Sequence, residues 1–196
     1  MKRLLYLLPA LALVAIPACG PSVPNPMVEI DTSMGKIKVE LYQDKAPISV
    51  KNFLSYVDEK HYDGTIFHRV IPDFMIQGGG FEPGMNERKE TRPPIENESS
   101  NGVANERGTL AMARTGEPNS ATDQFFINVK DNDFLDRAKA RDKVGYAVFG
   151  KVLAGMDVVD KIRRVETADR PPGHEAVPVE DVVIKSIRRV EKADAK

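Results

Sequence analysis

Cysteine is almost missing from this chain. Cys19 is the only one in 196 residues, so no internal disulfide can form. Tryptophan is absent, and the three histidines, His61, His68 and His174, are widely spaced. Their spacing lacks the ligand pattern of a metal centre, and no cofactor is expected. Gly78-Gly79-Gly80 fits neither dinucleotide-binding nor P-loop spacing and reads as a flexible turn. No serine or cysteine has a recognisable base partner for covalent catalysis. Neither sign of charge dominates: 28 Lys and Arg against 29 Asp and Glu leave a net charge of −1. Nucleic acid is therefore excluded as the main ligand, since phosphate binding needs a concentrated basic surface. The short KIRRV and SIRRV clusters read as solvated faces.

Long apolar runs are confined to the start. Lys2 and Arg3 form a positive leader, and Leu4 to Ile16 are nearly all apolar. The run is too short to span a bilayer comfortably, and Pro9 and Pro17 suit a helix poorly. Residues 1–18 read as a secretory signal peptide. Ile16-Pro17-Ala18-Cys19-Gly20 resembles a bacterial lipobox. A lipid thioether on Cys19 explains a lone thiol in an oxidising compartment, and several acyl chains give stable anchoring. The expectation is a periplasm-facing lipoprotein of the bacterial cell envelope. Gly20, where Asp favours inner-membrane retention, points to the outer membrane. The alternative is cleavage after Ala18 and a soluble periplasmic product. Residues 19–26, with Pro21, Pro24 and Pro26, form a short stiff tether.

The remainder suits one domain over residues 27–190, with a charged tail at 191–196. Val28 and Ile30, then Ile37, Val39 and Leu41, alternate with polar residues on either side of a turn at Ser33-Met34-Gly35, predicting a hairpin. Pro47 opens a helix to about residue 59, with Val50, Phe53, Leu54 and Val57 at helical spacing. Residues 65–77 read as two strands broken at Pro72, and 82–108 as a long loop with one short strand at 94–96. Strands are predicted at 109–113, 124–129, 146–152 and 179–190, a second helix at 156–165, and a Pro/Gly loop at 167–178. Many strands and two helices argue for an antiparallel barrel or a sandwich.

Three runs carry chemistry. In Phe67-His68-Arg69-Val70-Ile71-Pro72-Asp73-Phe74-Met75-Ile76-Gln77-Gly78-Gly79, alternation puts Phe67 and Arg69 on one face, with Met75 and Gln77 sharing a face beyond Pro72. An arginine among Phe, Met and Gln is unusual for a plain solvent face, although a lone surface arginine is ordinarily a salt-bridge partner. In Leu110-Ala111-Met112-Ala113-Arg114-Thr115 with Ser120-Ala121-Thr122-Asp123-Gln124-Phe125-Phe126-Ile127-Asn128, the core takes Phe125 and Ile127, and Gln124 and Phe126 point the other way. The third is Asn132-Asp133-Phe134-Leu135-Asp136 followed by Gly145-Tyr146-Ala147-Val148-Phe149-Gly150-Lys151-Val152.

Together and in this order the runs resemble the cyclophilin family, over roughly Met27 to Val190. The resemblance implies a mainly β fold, a closed eight-stranded antiparallel barrel capped by two α-helices, with a groove on its outer wall. It implies a peptidyl-prolyl cis-trans isomerase, working without cofactor on proline-containing polypeptides, here unfolded exported proteins, as a monomer. By motif position Arg69 is the catalytic arginine, and Phe74, Met75, Phe126 and Leu135 line the proline pocket. Gln77, Ala113, Arg114 and Gln124 hold the peptide backbone, Ala113 and Arg114 partly through their own main chain. Tyr146 stands where many eukaryotic members have His, and Phe134 where many have Trp, a replacement that tends to weaken cyclosporin binding in the family. The loop 137–145 is longer than in the shortest members. Two rivals remain: a proline-peptide binding module or holdase whose catalysis is incidental, and a lipid-tethered scaffold with none.

Overall fold

The computed structural model describes residues 24–88 and 90–190. The expected signal peptide over residues 1–18, Cys19 and the expected tail at 191–196 lie outside the described residues. Among the described residues no helix is long and apolar enough to cross a membrane.

The first hairpin forms as its alternation requires. Strand β1 (Met27–Thr32) buries Val28, Ile30 and Thr32, and β2 (Gly35–Leu41) buries Ile37, Val39 and Leu41. Helix α1 (Pro47–Asp58) starts on its proline and buries Val50, Phe53, Leu54 and Val57. Its cap comes from far along the chain. The Glu98 carboxylate accepts from the Ile48 and Ser49 N–H groups and from Ser49 Oγ.

After α1 come β3 (Phe67–Ile71), β4 (Met75–Gly78) and a two-residue ribbon of β5 (Phe81–Glu82) with β6 (Asn86–Glu87). Then follow β7 (Thr109–Met112), β8 (Phe125–Asn128), β9 (Val148–Ala154) and α2 (Met156–Ile162). The chain ends in a hairpin of β10 (Thr167–Arg170) with β11 (His174–Pro178), and in β12 (Ile184–Val190). The stretch 167–178, expected as a loop, is thus a β-ribbon, with Thr167 opposite Pro178 and Ala168 opposite Val177. Cross-strand bonding overrides its Pro/Gly composition. The expected strand at 94–96 reduces to one bridge between Ile95 and Ala121. The last strand begins at Ile184, not at residue 179.

Eight strands form one antiparallel sheet in the order β12-β1-β2-β9-β7-β8-β4-β3. It is a half-barrel whose edges meet at one bridge, Ile66 to Val183, flanked by Phe67 N–H to Val182 O and Ile184 N–H to Thr65 O. The expected closure is therefore a short seam and not a full ladder. Inside, Phe53 of α1 meets Phe125 edge-on at 5.4 Å and Phe149 at 5.3 Å. The helix α2 buries Val158, Val159 and Ile162 beside β2.

Candidate active site

The site lies on the outer face of β3, β4, β8 and β7. Antiparallel register puts Arg69 opposite Gln77, Gln77 opposite Phe126, and Phe126 opposite Ala111. These four residues form a row across neighbouring strands, each step about 4.8 Å. Met75 lies two residues from Gln77 and shares its face.

A bulge aims the arginine. Phe67 pairs with Gly78 and Arg69 with Gln77, leaving His68 as the extra residue in β3. Phe67 turns into the core against Phe125, ring centroids 6.3 Å apart. Phe67 and Arg69 therefore do not share a face, contrary to simple alternation. The bulge lets Arg69 follow an inward Phe67 and still reach the outer wall.

Arg69, Phe74, Met75, Gln77, Ala113, Arg114, Phe126, Phe134, Leu135 and Tyr146 line one groove of about 350 Å³. Gln124 is set apart from that groove. It lines an adjoining cleft of about 140 Å³ with Thr115, Ser120 and Thr122, and Gln77 donates to it across the boundary at 2.9 Å. Met75, Phe126 and Leu135 are buried and pack with Ala111 and Val148 into an apolar floor. Phe74 and Phe134 stack at 5.5 Å, and Phe134 is half exposed. Phe126 meets Tyr146 edge-on at 5.8 Å.

The two arginines of the groove are in opposite states. Arg114 is committed to its own loop. It pairs with Asp142, donates from Nε to Gly145 O at 3.1 Å and from Nη1 to Thr115 O at 3.0 Å, and lies 4.5 Å from the Tyr146 ring centroid. That pairing and two backbone N–H groups hold the Asp142 carboxyl well below the usual carboxylate range. The Arg114 guanidinium is thus tied to its own loop through Nε, Nη1 and Nη2. The Arg69 side chain makes no hydrogen bond or ion pair among the described residues, so its donors are free for a ligand. Its neighbour His68 is pushed down to about 4, first by burial and then by His174. His68 is therefore neutral near pH 7 and adds no second cation.

A polar network beneath the pocket escaped the sequence reading. Asn128 is fully buried, donating to Thr109 Oγ1 at 2.9 Å and Asn105 Oδ1 at 3.3 Å, and accepting from Asn132 at 2.8 Å. Asn132 also donates to Phe74 O at 2.8 Å. Asn105 donates to Asp136 Oδ1 at 3.0 Å and to Tyr146 O at 3.4 Å. The Leu135 N–H donates to Asn132 O at 2.9 Å, and the Tyr146 N–H to Leu135 O at 3.0 Å. Three walls of the pocket, Phe74, Leu135 and Tyr146, thus hang on one asparagine cluster. The available signal was an Asn at an outward strand position directly after Phe-Phe-Ile. Among the described residues no group of His, Cys, Asp and Glu gathers in a way that could hold a metal ion.

A family model for the cyclophilin type peptidyl-prolyl cis-trans isomerases matches residues 27–189. A peptidyl-prolyl cis-trans isomerase of Acinetobacter baylyi is 62% identical over 164 residues, 84% of this chain and 85% of that protein. Peptidyl-prolyl cis-trans isomerase A of Dickeya dadantii is 50% identical over 192 residues, 97% of this chain and 99% of that protein. The crystal structure of a cyclophilin type isomerase from Cryptosporidium parvum superposes with a TM-score of 0.69 at 27% identity, over 86% of this chain and 99% of that one. A family match spanning the whole barrel, with relatives this close, makes the chain a member of the cyclophilin-type peptidyl-prolyl cis-trans isomerases.

Proposed function

We propose that this isomerase turns X–Pro bonds of unfolded exported polypeptides with Arg69 as its catalytic group, working as a monomer anchored to the envelope through Cys19. The observation that carries the reading is the uncommitted Arg69 guanidinium in the same groove as Phe74, Met75, Phe126 and Leu135.

The amide resists rotation with a barrier of ~18–20 kcal/mol, because conjugation keeps it planar. Moving exchange from tens of seconds to milliseconds lowers that barrier by about 5–7 kcal/mol. In the twisted state the proline nitrogen pyramidalises and gains a lone pair. A fixed donor bonds it there better than in the planar ground state. Arginine suits this, because it stays charged and presents a rigid set of donors. One charge-assisted hydrogen bond contributes only about 1.5–3 kcal/mol net. The remainder comes from an apolar floor gripping the ring, while Gln77, Gln124 and the main chain at Ala113 and Arg114 hold one flank as the other turns.

Replacing Arg69 with Ala tests the role. The variant is expected to keep its circular dichroism spectrum and lose about a hundredfold in kcat/KM on a proline tetrapeptide, matching ~3 kcal/mol. Unchanged turnover rejects the assignment.

Export and anchoring rest on the charged leader, the apolar run and the lipobox-like sequence. The Dickeya relative is similar along 97% of this chain. Gly20 favours the outer membrane, and a soluble periplasmic form is the alternative. Expression of the full chain with labelled palmitate decides between them. Label on the protein that disappears in Cys19→Ser supports the anchor, and an unlabelled soluble product rejects it.

A further inference from the structure

Next to the proline groove lies a second, larger cleft of about 510 Å³. One side is the segment from Ser99 to Ala104, and the other is Asp136 to Ala138 with Lys143, at the two ends of the loop 137–145. The two depressions share a wall. Val103 packs against the floor of the proline pocket, and Asp136 directly follows Leu135.

The loop is fixed to that wall at several points. Arg114 pairs with Asp142, Ser99 Oγ donates to Val144 O, and Asn97 Nδ2 donates to Gly145 O at 3.1 Å. Its charges divide sharply. Asp136 accepts from Asn105 N–H and Nδ2 at 2.8 and 3.0 Å, Asp142 is taken by Arg114, and Lys139 pairs with Asp133 at 2.6 Å. Arg137, Arg141 and Lys143 are exposed and make no ion pair or hydrogen bond through their side chains among the described residues. Two of these, Arg137 and Lys143, line the cleft. The two lining cations outnumber the one lining carboxylate, Asp136, so the concave surface carries a net positive charge and attracts anions.

We propose that this cleft is a second polypeptide subsite, which takes acidic side chains flanking the target proline and gives the isomerase a preference for acidic clients. The proposal rests on the isomerase reading of the neighbouring groove. A chain held at the proline pocket advances about 3.3–3.6 Å per residue, so its flank must cross a neighbouring wall. On this side the wall opens onto Arg137 and Lys143. Such pairs are solvent-exposed, so the preference is modest and sensitive to salt.

The test uses the full chain and a proline peptide with Ala flanks. Glu or Lys is placed at each flanking position in turn. The expected result is a Glu-over-Lys ratio of kcat/KM of roughly two- to fivefold at low ionic strength, confined to one flank. The ratio is expected to fall towards one in about 0.5 M salt, where the Debye length is only a few ångströms. It is also expected to fall in the Arg137→Ala/Lys143→Ala double variant. The all-Ala peptide separates the two readings: if it is not turned over, the groove assignment fails. If it is turned over and Glu and Lys peptides are equal, or the ratio survives the double variant, the subsite is overturned. The subsite is equally overturned if the double variant instead loses binding to phosphatidylglycerol vesicles with its peptide ratio intact, because the loop then faces a membrane.

Discussion

Asn128 offers the sharpest test of how the pocket is held. Replacing it with Ala removes three hydrogen bonds in a fully buried place. Each contributes about 1 kcal/mol net, and the orphaned Asn105 oxygen adds a desolvation cost of roughly 1–3 kcal/mol. The sum, on the order of 4 kcal/mol, is within the stability of a typical domain, so the variant still folds at room temperature. For a chain of this size each kcal/mol moves Tm by roughly 2–4 °C, so a drop of about 10 °C is expected. Function should suffer separately, because the same bonds hold Asn132 against Phe74 and Asn105 against Tyr146. A tenfold loss of kcat/KM needs a pocket misfit of only about 1.4 kcal/mol. The control is Ile30→Ala, a fully buried core change on β1, costing roughly 2–5 kcal/mol. It should lower Tm comparably and leave kcat/KM near the wild-type value when both are assayed well below their midpoints. Equal kcat/KM in Asn128→Ala and wild type would refute the claim that this network sets the pocket, whatever happens to Tm.

Three further outcomes follow from the site and its surroundings. Arg69→Ala should hold its Tm within about 2 °C, since the side chain makes no bond that folding depends on, and a large drop would show a structural role. His68 is held near 4 when folded and titrates near 6.5 when unfolded, so only the unfolded chain gains the proton as pH falls between those values. Stability should therefore be whole above about pH 6.5 and lose on the order of 3 kcal/mol by pH 4. The urea midpoint read across that range should flatten in His68→Gln, and an unchanged slope would assign the loss to other groups. Gly145 has φ +70°, and an added Cβ would stand 2.7 Å from Arg137 N and from Leu135 O. Gly145→Ala should cost at least about 2 kcal/mol in a thermal melt and weaken turnover through Leu135, and a wild-type Tm would refute the strain.

What the sequence displayed and what it hid differ by the range of the interaction. The β1–β2 hairpin and α1 were legible because alternation and helical spacing are local and each element has one buried face. The groove was legible because its residues cluster in three short runs, and ten of the eleven carried by resemblance line one depression. Gln124 falls just beyond it, at the far end of a bond from Gln77. The bulge at His68 was hidden, because one extra residue in β3 is visible only against its partner strand. The β10–β11 ribbon was hidden because prolines and glycine interrupt any period-two signal over 167–178. The Glu98 cap and the bonds from Asn128 to Thr109 and from Asn132 to Phe74 join positions 19 to 58 residues apart, and only the outward Asn after Phe-Phe-Ile hinted at the cluster.

On the proposed mechanism, Arg69 and Arg114 divide two tasks between one free and one bound guanidinium. A charge that must meet a lone pair only in the twisted state cannot already be satisfied by a carboxylate. Such a partner would have to be displaced at each turnover, and a charged hydrogen bond is worth about 1.5–3 kcal/mol, as much as the arginine contributes. Arg69 has no such partner, and the bulge that presents it keeps Phe67 in the core. A free charge only catalyses if the proline ring is held still beside it, because stabilisation depends on the nitrogen arriving in the right place. On the proposed mechanism Arg114 supplies that stillness. Its side chain is 3% exposed and bound to Asp142, Gly145 O and the Tyr146 ring, so it fixes a wall of the groove that Arg69 also lines. Exchanging their roles would fail on both counts: a paired Arg69 would stabilise nothing new, and an unpaired Arg114 would leave Tyr146 and the loop beyond it without their anchor.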